Sequence, residues 1–465
     1  MISFSNIDIV IIIGFLASVI FIGFWASKGT EKSSDEYLLS SRKVGLILFI
    51  LTNVATWYGG ILGVGEFSYR YGLVSWFTQG LPYYIFALIF AFLFADKIRS
   101  ASLFTVTDKL EETYGRKVSL VAAVLIFILV SPAPYLLMLG QLISIIFEIN
   151  IFYSLTIAVL VSTIYLLKGG YTSNIWVDAF SFIVMFLGFI IIVFVAFNNY
   201  GGIEYLEQSL PEAHLSLTGG TSITFLVVWF LIALWTFTDP GFHQRCYSAK
   251  SGKIAKWGII ISVFFWAFFD FLTNTTGLFT RAILPNLENP VMAFPFLAEE
   301  ILSPGLKGIF FAALIATILS TLNSFMFLSA TTFSRDFTIK FSSKRAKGNK
   351  ATIFYTRIGL IFTSVVSIII AYSFESIVEL WYTIGSICIP GLILLVISAY
   401  YKQFKISSKI AFYEIIIGVL ASVSWLLVRE NFSHIEFLSQ IEPMIIGLTL
   451  ALFVHVYGNI QSKNP

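Results

Sequence analysis

Long apolar runs recur along the chain and restrict its fold more than any other sequence feature. A run of about 20 apolar residues crosses the roughly 30 Å hydrocarbon core of a bilayer as an α-helix. Hydrophobic residues make up 57% of the 465 residues and charged residues only 12%, which is too apolar for a water-soluble domain. Because backbone in lipid must satisfy its own hydrogen bonds, we expect an all-α polytopic membrane protein. The residue alternation of a membrane β-barrel is absent from the sequence.

The positions of the apolar runs predict about thirteen transmembrane helices. We expect them near residues 5–27, 43–66, 74–96, 118–147, 151–167, 174–198, 222–243, 255–282, 307–333, 353–374, 376–400, 409–428 and 440–458.

Positive charges separate the connections between these spans into two sets. The odd-numbered connections and the C-terminus carry 25 of the 29 Lys and Arg residues, whereas the even-numbered ones carry only Arg70, Arg281, Lys307 and Arg429. Cytoplasmic loops of membrane proteins are enriched in Lys and Arg. We therefore predict a multi-pass protein of the plasma (inner) membrane, with the N-terminus extracellular or periplasmic and the C-terminus cytoplasmic. The basic loop around 335–350 is expected to meet anionic lipid or to enforce topology, with no nucleic-acid partner.

Two of the predicted spans contain residues that interrupt a helix. Span two carries Gly59 and Gly60, and span seven carries Asp239-Pro240-Gly241. Glycine tolerates irregular backbone, and proline removes a hydrogen-bond donor. Such breaks survive in a membrane only where they line a cavity or pack inside the protein, so one interpretation is a solute site and the other is close helix packing.

The spacing of the two breaks indicates a division of the chain into two halves. The breaks lie five spans apart, so each half has five spans and the second is inverted relative to the first. Matched breaks in inverted halves are typical of a transporter site near mid-membrane. The expected units are an extra N-terminal helix with its loop, a first repeat, an extracellular loop, a second repeat and two accessory helices, at 1–42, 43–198, 199–221, 222–400 and 401–465.

Four hydroxyl side chains are spaced to share one face of span nine. Thr317, Ser320, Thr321 and Ser324 occur at i, i+3, i+4 and i+7, and Asn323 lies beside them. One intramembrane hydroxyl usually bonds to its own helix or a neighbouring one. A row of neutral oxygens instead suits a monovalent cation that must bind and leave, with carbonyls supplied by an unwound helix near Gly59 and Gly60.

Three aspartates within the predicted spans need a partner or a task, because a charge at the bilayer centre is costly. Asp178 is a potential cation ligand, proton carrier or helix-end anchor. Asp239, at the second break, is a candidate for binding solute or a coupling ion, and we interpret Asp270 as a packing or hydrogen-bonding residue. Trp57, Tyr58 and Trp235 adjoin the breaks and either pack in the core or contact solute.

An ordered set of motifs resembles the sodium–solute symporter family, which includes bacterial proline, galactose and sialic acid transporters. They are DEYLLSSRKVGL at 35–46, GGYTSNIWVD at 169–178, DPGFHQRCYSAKS at 239–251 and the long GLKGIFFAALIATILSTLNSFMFLSATTFSRDF at 305–337. Val177 stands where the family usually has Thr. The resemblance implies a LeuT-type core of five plus five inverted helices.

The resemblance also implies where sodium and solute would bind. The family's principal sodium site corresponds to carbonyls of Ala55 and Tyr58, the carbonyl of Thr317, and the hydroxyls of Ser320 and Thr321. A second sodium, present in some members, would involve Asp178, Ser320, Asn323 and Ser324, although Asn323 replaces a hydroxyl residue of those members. The residues expected to contact solute are Thr56, Trp57, Gly59, Gly60, Trp235, Thr238 and Asp239.

The function expected from these observations is sodium-coupled uptake of a small polar organic solute, such as a sugar or amino acid, by alternating access. Sodium is a co-transported ligand, and neither a resident cofactor nor an obligate protein partner is expected beyond the lipid bilayer. Trp57, Trp235 and Asp239 would suit a cationic or hydroxyl-rich solute. One alternative is proton coupling through Asp178 or Asp239. A membrane-embedded enzyme or a sensor without transport fits poorly, because the four histidines are scattered and no signalling domain is evident.

Overall fold

The chain folds almost entirely as helices. The computed structural model describes residues 2–339, 348–373, 377–432, 438 and 441–463. Residues 340–347 of the basic loop expected around 335–350 lie outside the described residues.

Helices of the first half begin with the N-terminal span and end before the first long loop. They are Asn6–Ala26, Thr30–Lys32, Ser34–Leu39, Ser40–Arg42, Leu46–Ala55, Ile61–Tyr71, Trp76–Gly80, Leu81–Leu93, Ala95–Ala101, Val106–Tyr114, Arg116–Leu129, Ala133–Phe147, Ile151–Thr163 and Leu166–Tyr200. The connection between the third and fourth expected spans contains a short helix, Val106–Tyr114, which buries Leu110 and Tyr114.

Helices of the remaining chain follow the same pattern of long spans joined by short helical turns. They are Ile203–Ser209, Glu212–Leu215, Ile223–Ile232, Ala233–Phe237, Pro240–Ser248, Gly252–Ile283, Pro290–Met292, Ala293–Ile301, Leu306–Thr331, Thr332–Ile339, Asn349–Ser373, Ile377–Tyr400, Lys402–Phe404, Ser408–Asn431 and Pro443–Lys463.

Eleven helices within the described residues are long and apolar enough to cross a membrane. Thirteen spans were expected, and the two others correspond to shorter apolar helices, Leu46–Ala55 and Ile151–Thr163. Leu46–Ala55 is short because the helix stops at the first break (residues 56–60) and resumes as Ile61–Tyr71. Each expected span therefore coincides with helix, although not every one is a continuous membrane-length helix.

The second break (residues 233–239) separates Ile223–Ile232 from Pro240–Ser248 and follows from three adjacent residues. A turn of 3-10 helix spans Ala233–Phe237, and Asp239 then caps the next helix by accepting hydrogen bonds from the backbone N–H groups of Gly241 and Phe242 at 2.6 and 3.1 Å. Pro240 occupies the first helical position, where a missing N–H costs nothing. The break is thus a capped helix start inside a span.

Helix Leu306–Thr331, here called the hydroxyl helix, runs through the centre of the bundle. Nearly all of its residues are buried, and it packs along Leu166–Tyr200, where a side chain at Gly188 would lie 2.3 Å from the Ala313 Cβ. Its start is tied to the N-terminal helix, because the Asp8 carboxylate accepts hydrogen bonds of 2.8 Å from the N–H groups of both Gly305 and Gly308. These contacts hold the hydroxyl helix against both breaks.

The two broken helices meet at one end of the bundle through their backbones. The N–H of Val44 donates to the carbonyl of Ser248 at 3.1 Å, and the N–H of Lys250 donates to the carbonyl of Val44 at 2.9 Å. These bonds form an isolated parallel bridge just before the helix that starts at Leu46 and just after the one that ends at Ser248. The two broken helices are therefore joined by main-chain contact at the predicted cytoplasmic end.

Candidate functional site

The hydroxyl helix contacts the first break through two side chains that the sequence singles out. The hydroxyl of Ser320 donates to the carbonyl of Ala55 at 2.8 Å, and the hydroxyl of Thr321 donates to the carbonyl of Thr56 at 3.0 Å. Both carbonyls lie where the helix ends and backbone oxygens lose their intrahelical partners. Main-chain and hydroxyl oxygens thus converge in the dry centre of the bundle.

The other residues of the expected principal sodium site have different surroundings. The hydroxyl of Thr317 donates to the carbonyl of Ala313 in its own helix at 2.7 Å, whereas the Thr317 carbonyl accepts from the Ser320 hydroxyl at 3.1 Å. The phenol of Tyr58 donates to the carbonyl of Trp266 at 2.8 Å, which anchors the break on the neighbouring helix. Of the hydroxyl row, Thr317 therefore offers its carbonyl rather than its side chain.

Gly59 is the residue of the first break that packs most closely on the hydroxyl helix. A Cβ at this position would lie 2.4 Å from the Thr321 Cβ and 2.6 Å from its hydroxyl oxygen. Real Cβ atoms do not approach that closely, so only glycine allows the first break to reach Thr321.

A cavity of about 550 Å³ lies between the two breaks, a size typical of small-molecule sites. It extends to Arg429, whose side chain is 30% exposed and forms an ion pair of 2.8 Å with Glu442. We call it the central cavity. Its lining comprises Thr56, Trp57, Tyr58, Gly60, Gly63, Val64, Phe67, Ser75, Gln79, Gly80, Tyr83, Tyr135, Trp229, Ile232, Trp235, Asp239, Asp270, Asn274, Phe325, Gly385, Ser386 and Arg429.

Five of the seven residues expected to contact solute line the central cavity, namely Thr56, Trp57, Gly60, Trp235 and Asp239. The other two do not. Gly59 faces Thr321, and the buried Thr238 donates its hydroxyl to the carbonyl of Trp235 at 3.1 Å.

The residues expected at a second sodium ion are brought into one buried polar cluster without all touching one another. The Asn174 amide donates to the Asp178 carboxylate at 3.3 Å and to the Ser324 hydroxyl at 2.8 Å, and the Thr52 hydroxyl donates to Asp178 at 2.5 Å. Neither side-chain polar atom of Asn323 makes a hydrogen bond within the described part of the chain. Asp178 is fully buried within the protein.

Arg245 corrects one part of the charge analysis, because it was counted among the charges of a cytoplasmic connection. The structure places it inside helix Pro240–Ser248, only 4% exposed. Its guanidinium donates to the Thr56 hydroxyl, to the carbonyl of Gly241 at 3.1 Å and to the Ser324 hydroxyl at 3.5 Å. The error arose because span seven was expected to end at residue 243, whereas its helix continues to Ser248.

Arg245 links the two breaks and the hydroxyl helix, and sequence reasoning gave it no role. It lies within electrostatic reach of both Asp178 and Asp239, yet no salt bridge joins it to either within the described residues. Its burial makes it a candidate functional residue, since buried intramembrane charges mark functional sites, but the sequence alone did not reveal that burial.

Asp270 was interpreted as a packing or hydrogen-bonding residue, and it does accept a hydrogen bond from the Tyr84 hydroxyl. It also lines the central cavity, together with Tyr83 and Gln79. None of these three was expected there. Tyr83 contacts Trp57 edge to face, with ring centroids 5.0 Å apart. This contact joins the part of the cavity wall that contains Tyr83 to the first break.

Comparison with known families gives a match over most of the chain. The model of the family described as "Sodium:solute symporter family" matches residues 37–430. One similar protein is the sodium/glucose cotransporter of Vibrio parahaemolyticus, which is 25% identical and aligns over 99% of this chain and 92% of the relative. Another is sodium/proline symporter 2 of Staphylococcus saprophyticus, 23% identical over 98% of this chain and 93% of the relative.

Solved structures show the same fold. A Na⁺-coupled sialic acid symporter in a substrate-bound outward-open state superposes with a TM-score of 0.85 at 16% identity, covering 100% of this chain and 99% of the other. Mhp1, a nucleobase-cation-symport-1 family transporter in a closed conformation, matches with a TM-score of 0.55 at 16% identity, covering 91% and 93%. The fold is therefore the LeuT-type helical fold predicted from the sequence.

Proposed function

This chain belongs to the sodium:solute symporter family and is a multi-pass, sodium-coupled solute symporter, and from that premise we propose which of its residues hold the ion and the solute. Sodium binds between the first break and the hydroxyl helix, at the carbonyls of Ala55, Tyr58 and Thr317 and the hydroxyls of Ser320 and Thr321. The contact of Ser320 with Ala55 at 2.8 Å carries this proposal.

The chemistry of these oxygens suits sodium. Hydroxyl and carbonyl groups are neutral, so they replace the water of a monovalent ion without adding a charge that would retain it. The two hydroxyls currently use their hydrogens on the carbonyls of Ala55 and Thr56. Rotation of each hydroxyl hydrogen away from its carbonyl frees the oxygens of Ser320, Thr321 and Ala55 to coordinate the ion, so that ion binding links the first break to the hydroxyl helix.

Solute binds in the central cavity, next to the ion. Thr56 and Trp57 follow Ala55 directly, and both line the cavity. Trp235 and Asp239 contribute the opposite wall from the second break. Because the first break holds an ion ligand and cavity residues in consecutive positions, ordering it by sodium also orders the solute site, which is the physical basis of coupling.

Transport proceeds by alternating access into the cell. The central cavity reaches Arg429, which belongs to the connections with few positive charges, and the Val44 bridge closes the end rich in Lys and Arg. By the charge rule, the first end faces outward and the second faces the cytoplasm. One sodium ion falling through 100 mV contributes about 2.3 kcal/mol, enough to concentrate solute roughly fifty-fold.

The two five-helix repeats at 43–198 and 222–400 move relative to each other in this proposal, with the loop 199–221 and the flanking helices 1–42 and 401–465 outside them. A second sodium at Asp178, Asn323 and Ser324 stays a prediction. The buried guanidinium of Arg245, which contacts Ser324, works against a further cation there.

The direct test is ion-specific stabilisation of the purified protein. Thermal unfolding in increasing NaCl, with KCl at the same ionic strength as the reference, measures binding of sodium without needing the solute. We expect a saturable rise in melting temperature with sodium that Ser320→Ala lowers, and equal curves in both salts would contradict the proposed site.

A further inference from the structure

We propose that the transported solute is a small organic cation, with a protonated amine or a quaternary ammonium group, held by the carboxylate of Asp239 and the aromatic wall of the central cavity. This inference rests on the proposed solute site, and it adds the substrate class.

The first observation is the character of the cavity wall. Eight of its lining residues are aromatic, namely Trp57, Tyr58, Phe67, Tyr83, Tyr135, Trp229, Trp235 and Phe325. Several are held in fixed relation, with Tyr135 and Phe325 in edge-to-face contact at 4.8 Å and the Trp235 ring against Gly385. The faces of aromatic rings attract ammonium groups, and a cage of them is the usual way that proteins bind methylated amines.

The second observation is the state of Asp239. Its Oδ1 caps helix Pro240–Ser248, but Oδ2 makes no hydrogen bond within the described residues, although the residue lines the central cavity. No salt bridge neutralises it among those residues. A carboxylate in the lining of a largely apolar cavity needs a partner, and an ammonium group supplies both the charge and the contact.

The third observation concerns the neutral polar groups that a sugar would need. The Thr56 hydroxyl already donates to the carbonyl of Thr52 at 2.7 Å and accepts from Arg245. The Asn274 amide donates to the carbonyl of Asp270 at 2.8 Å and its oxygen accepts from the Ser68 hydroxyl at 3.2 Å. Thr56 and Asn274 are therefore committed to the fold, so neither is free to bind the hydroxyls of a sugar.

The balance of charge points the same way. Three carboxylates, Asp178, Asp239 and Asp270, lie in or beside the two sites, and Arg245 is the buried cation among them. The cavity lining itself carries two of these carboxylates, Asp239 and Asp270, against the one guanidinium of Arg429. Arg429, the basic residue of the cavity lining within the described chain, is already paired with Glu442, so an anionic solute would face two carboxylates instead.

The experiment compares the binding of small molecules that have the same shape but differ in charge. The purified full-length protein in NaCl, and separately in KCl, is titrated with choline and with 3,3-dimethyl-1-butanol, in which carbon replaces the quaternary nitrogen. Methylammonium and tetramethylammonium extend the cation series, and galactose and acetate represent neutral and anionic solutes. Binding is measured by the shift in melting temperature and by quenching of tryptophan fluorescence.

We expect at least one of the cations to bind in sodium, and choline to bind at least ten-fold more tightly than its uncharged isostere. Asp239→Asn keeps an oxygen that can cap the helix, so it tests the charge without removing the fold. It should weaken cation binding at least ten-fold and leave the sodium-dependent stabilisation in place. Glu212→Gln, an exposed carboxylate in the long loop, is the matched control and should change neither.

Two results would overturn the substrate class while leaving the symporter proposal intact. One is equal binding of choline and its isostere, and the other is sodium-dependent stabilisation with no response to any cation. If sodium did not stabilise the protein at all, that result would contradict the proposed ion site instead. Failure of the substrate class and failure of the ion site are therefore distinguishable.

Discussion

The hydroxyl of Ser320 donates a hydrogen bond of 2.8 Å to the carbonyl of Ala55, which lies 265 residues earlier in the chain. This contact joins the interior of one helix to the end of another at mid-bundle. Because one partner is a main-chain oxygen freed by a helix break, the contact exists only while the break keeps its shape. Ion binding at the proposed site would therefore depend on the shape of the first break.

The first prediction concerns the hydroxyls of the proposed sodium site. Ser320→Ala and Thr321→Ala each remove an oxygen ligand, and a contact to a charged group contributes about 1.5–3 kcal/mol. We expect the sodium concentration for half-maximal uptake into proteoliposomes to rise about 10- to 150-fold. Thr331→Ala is the control, since its hydroxyl donates to Phe327 in the same helix at 2.8 Å. An unchanged sodium requirement in both variants would exclude these ligands.

The second prediction concerns the close approach at the first break. Gly59→Ala would place a methyl group 2.4 Å from the Thr321 Cβ, so the break must move away from the hydroxyl helix. We expect uptake to be lost and sodium stabilisation to weaken at least ten-fold. Gly14→Ala adds the same methyl group where nothing lies within 4 Å, and it should behave as the parent protein. Normal transport by Gly59→Ala would show that this contact is dispensable.

The third prediction concerns the buried guanidinium. Arg245→Lys keeps the charge but loses the planar fork that reaches Thr56, Gly241 and Ser324 together. We expect uptake to fall by more than ten-fold while the protein still inserts and binds sodium weakly. Lys250→Arg, in the adjacent exposed turn, provides a conservative control. Retention of full uptake by Arg245→Lys would show that charge alone suffices at this position.

The fourth prediction separates sodium coupling from coupling to protons. Proteoliposomes given an inward pH gradient and potassium salts should accumulate no solute, whereas an inward sodium gradient at equal pH should drive uptake. The physical reason is that the proposed ion ligands are hydroxyls and carbonyls, which do not carry protons between the two faces. Accumulation of solute driven by the pH gradient alone would instead support proton coupling through Asp178 or Asp239.

The fifth prediction concerns orientation. The two native cysteines, Cys246 and Cys388, are both buried and free, so they give a low labelling background. Single cysteines at Glu212 and Lys405 should react with a membrane-impermeant maleimide from opposite sides of intact cells, Glu212 from outside and Lys405 only after permeabilisation. Reversed accessibility would invert the predicted topology.

Much of the fold was accessible from the sequence because lipid imposes simple rules. Apolar length predicts helices, and glycine or Asp-Pro-Gly inside a span predicts a break. The spacing of Ser320 and Thr321 identified the face of the hydroxyl helix that meets the first break. The boundary at Ser248 was missed, because Arg245 reads as the end of an apolar run when its buried partners are unknown.

The polar partners of the site could not be derived, since they come from distant positions. Asp178 is bonded by Thr52, 126 residues earlier, and Asp270 by Tyr84, 186 residues earlier. A hydroxyl inside an apolar run gives no sign of which carboxylate it will meet. The long-range packing of the spans determines those pairs, and only the arrangement of the bundle reveals them.

The bridge between Val44 and the segment from Ser248 to Lys250 consists of two main-chain hydrogen bonds, which would have to open in the proposed transport cycle. Each main-chain hydrogen bond contributes about 0.5–1.5 kcal/mol net, so two of them are comparable to the work that 100 mV does on one ion. Since the bonds involve no side chain, most substitutions at Val44, Ser248 and Lys250 leave both bonds available, whereas proline at Val44 or Lys250 removes a donor. In the proposed cycle, the free energy that one ion supplies is therefore enough to open this bridge.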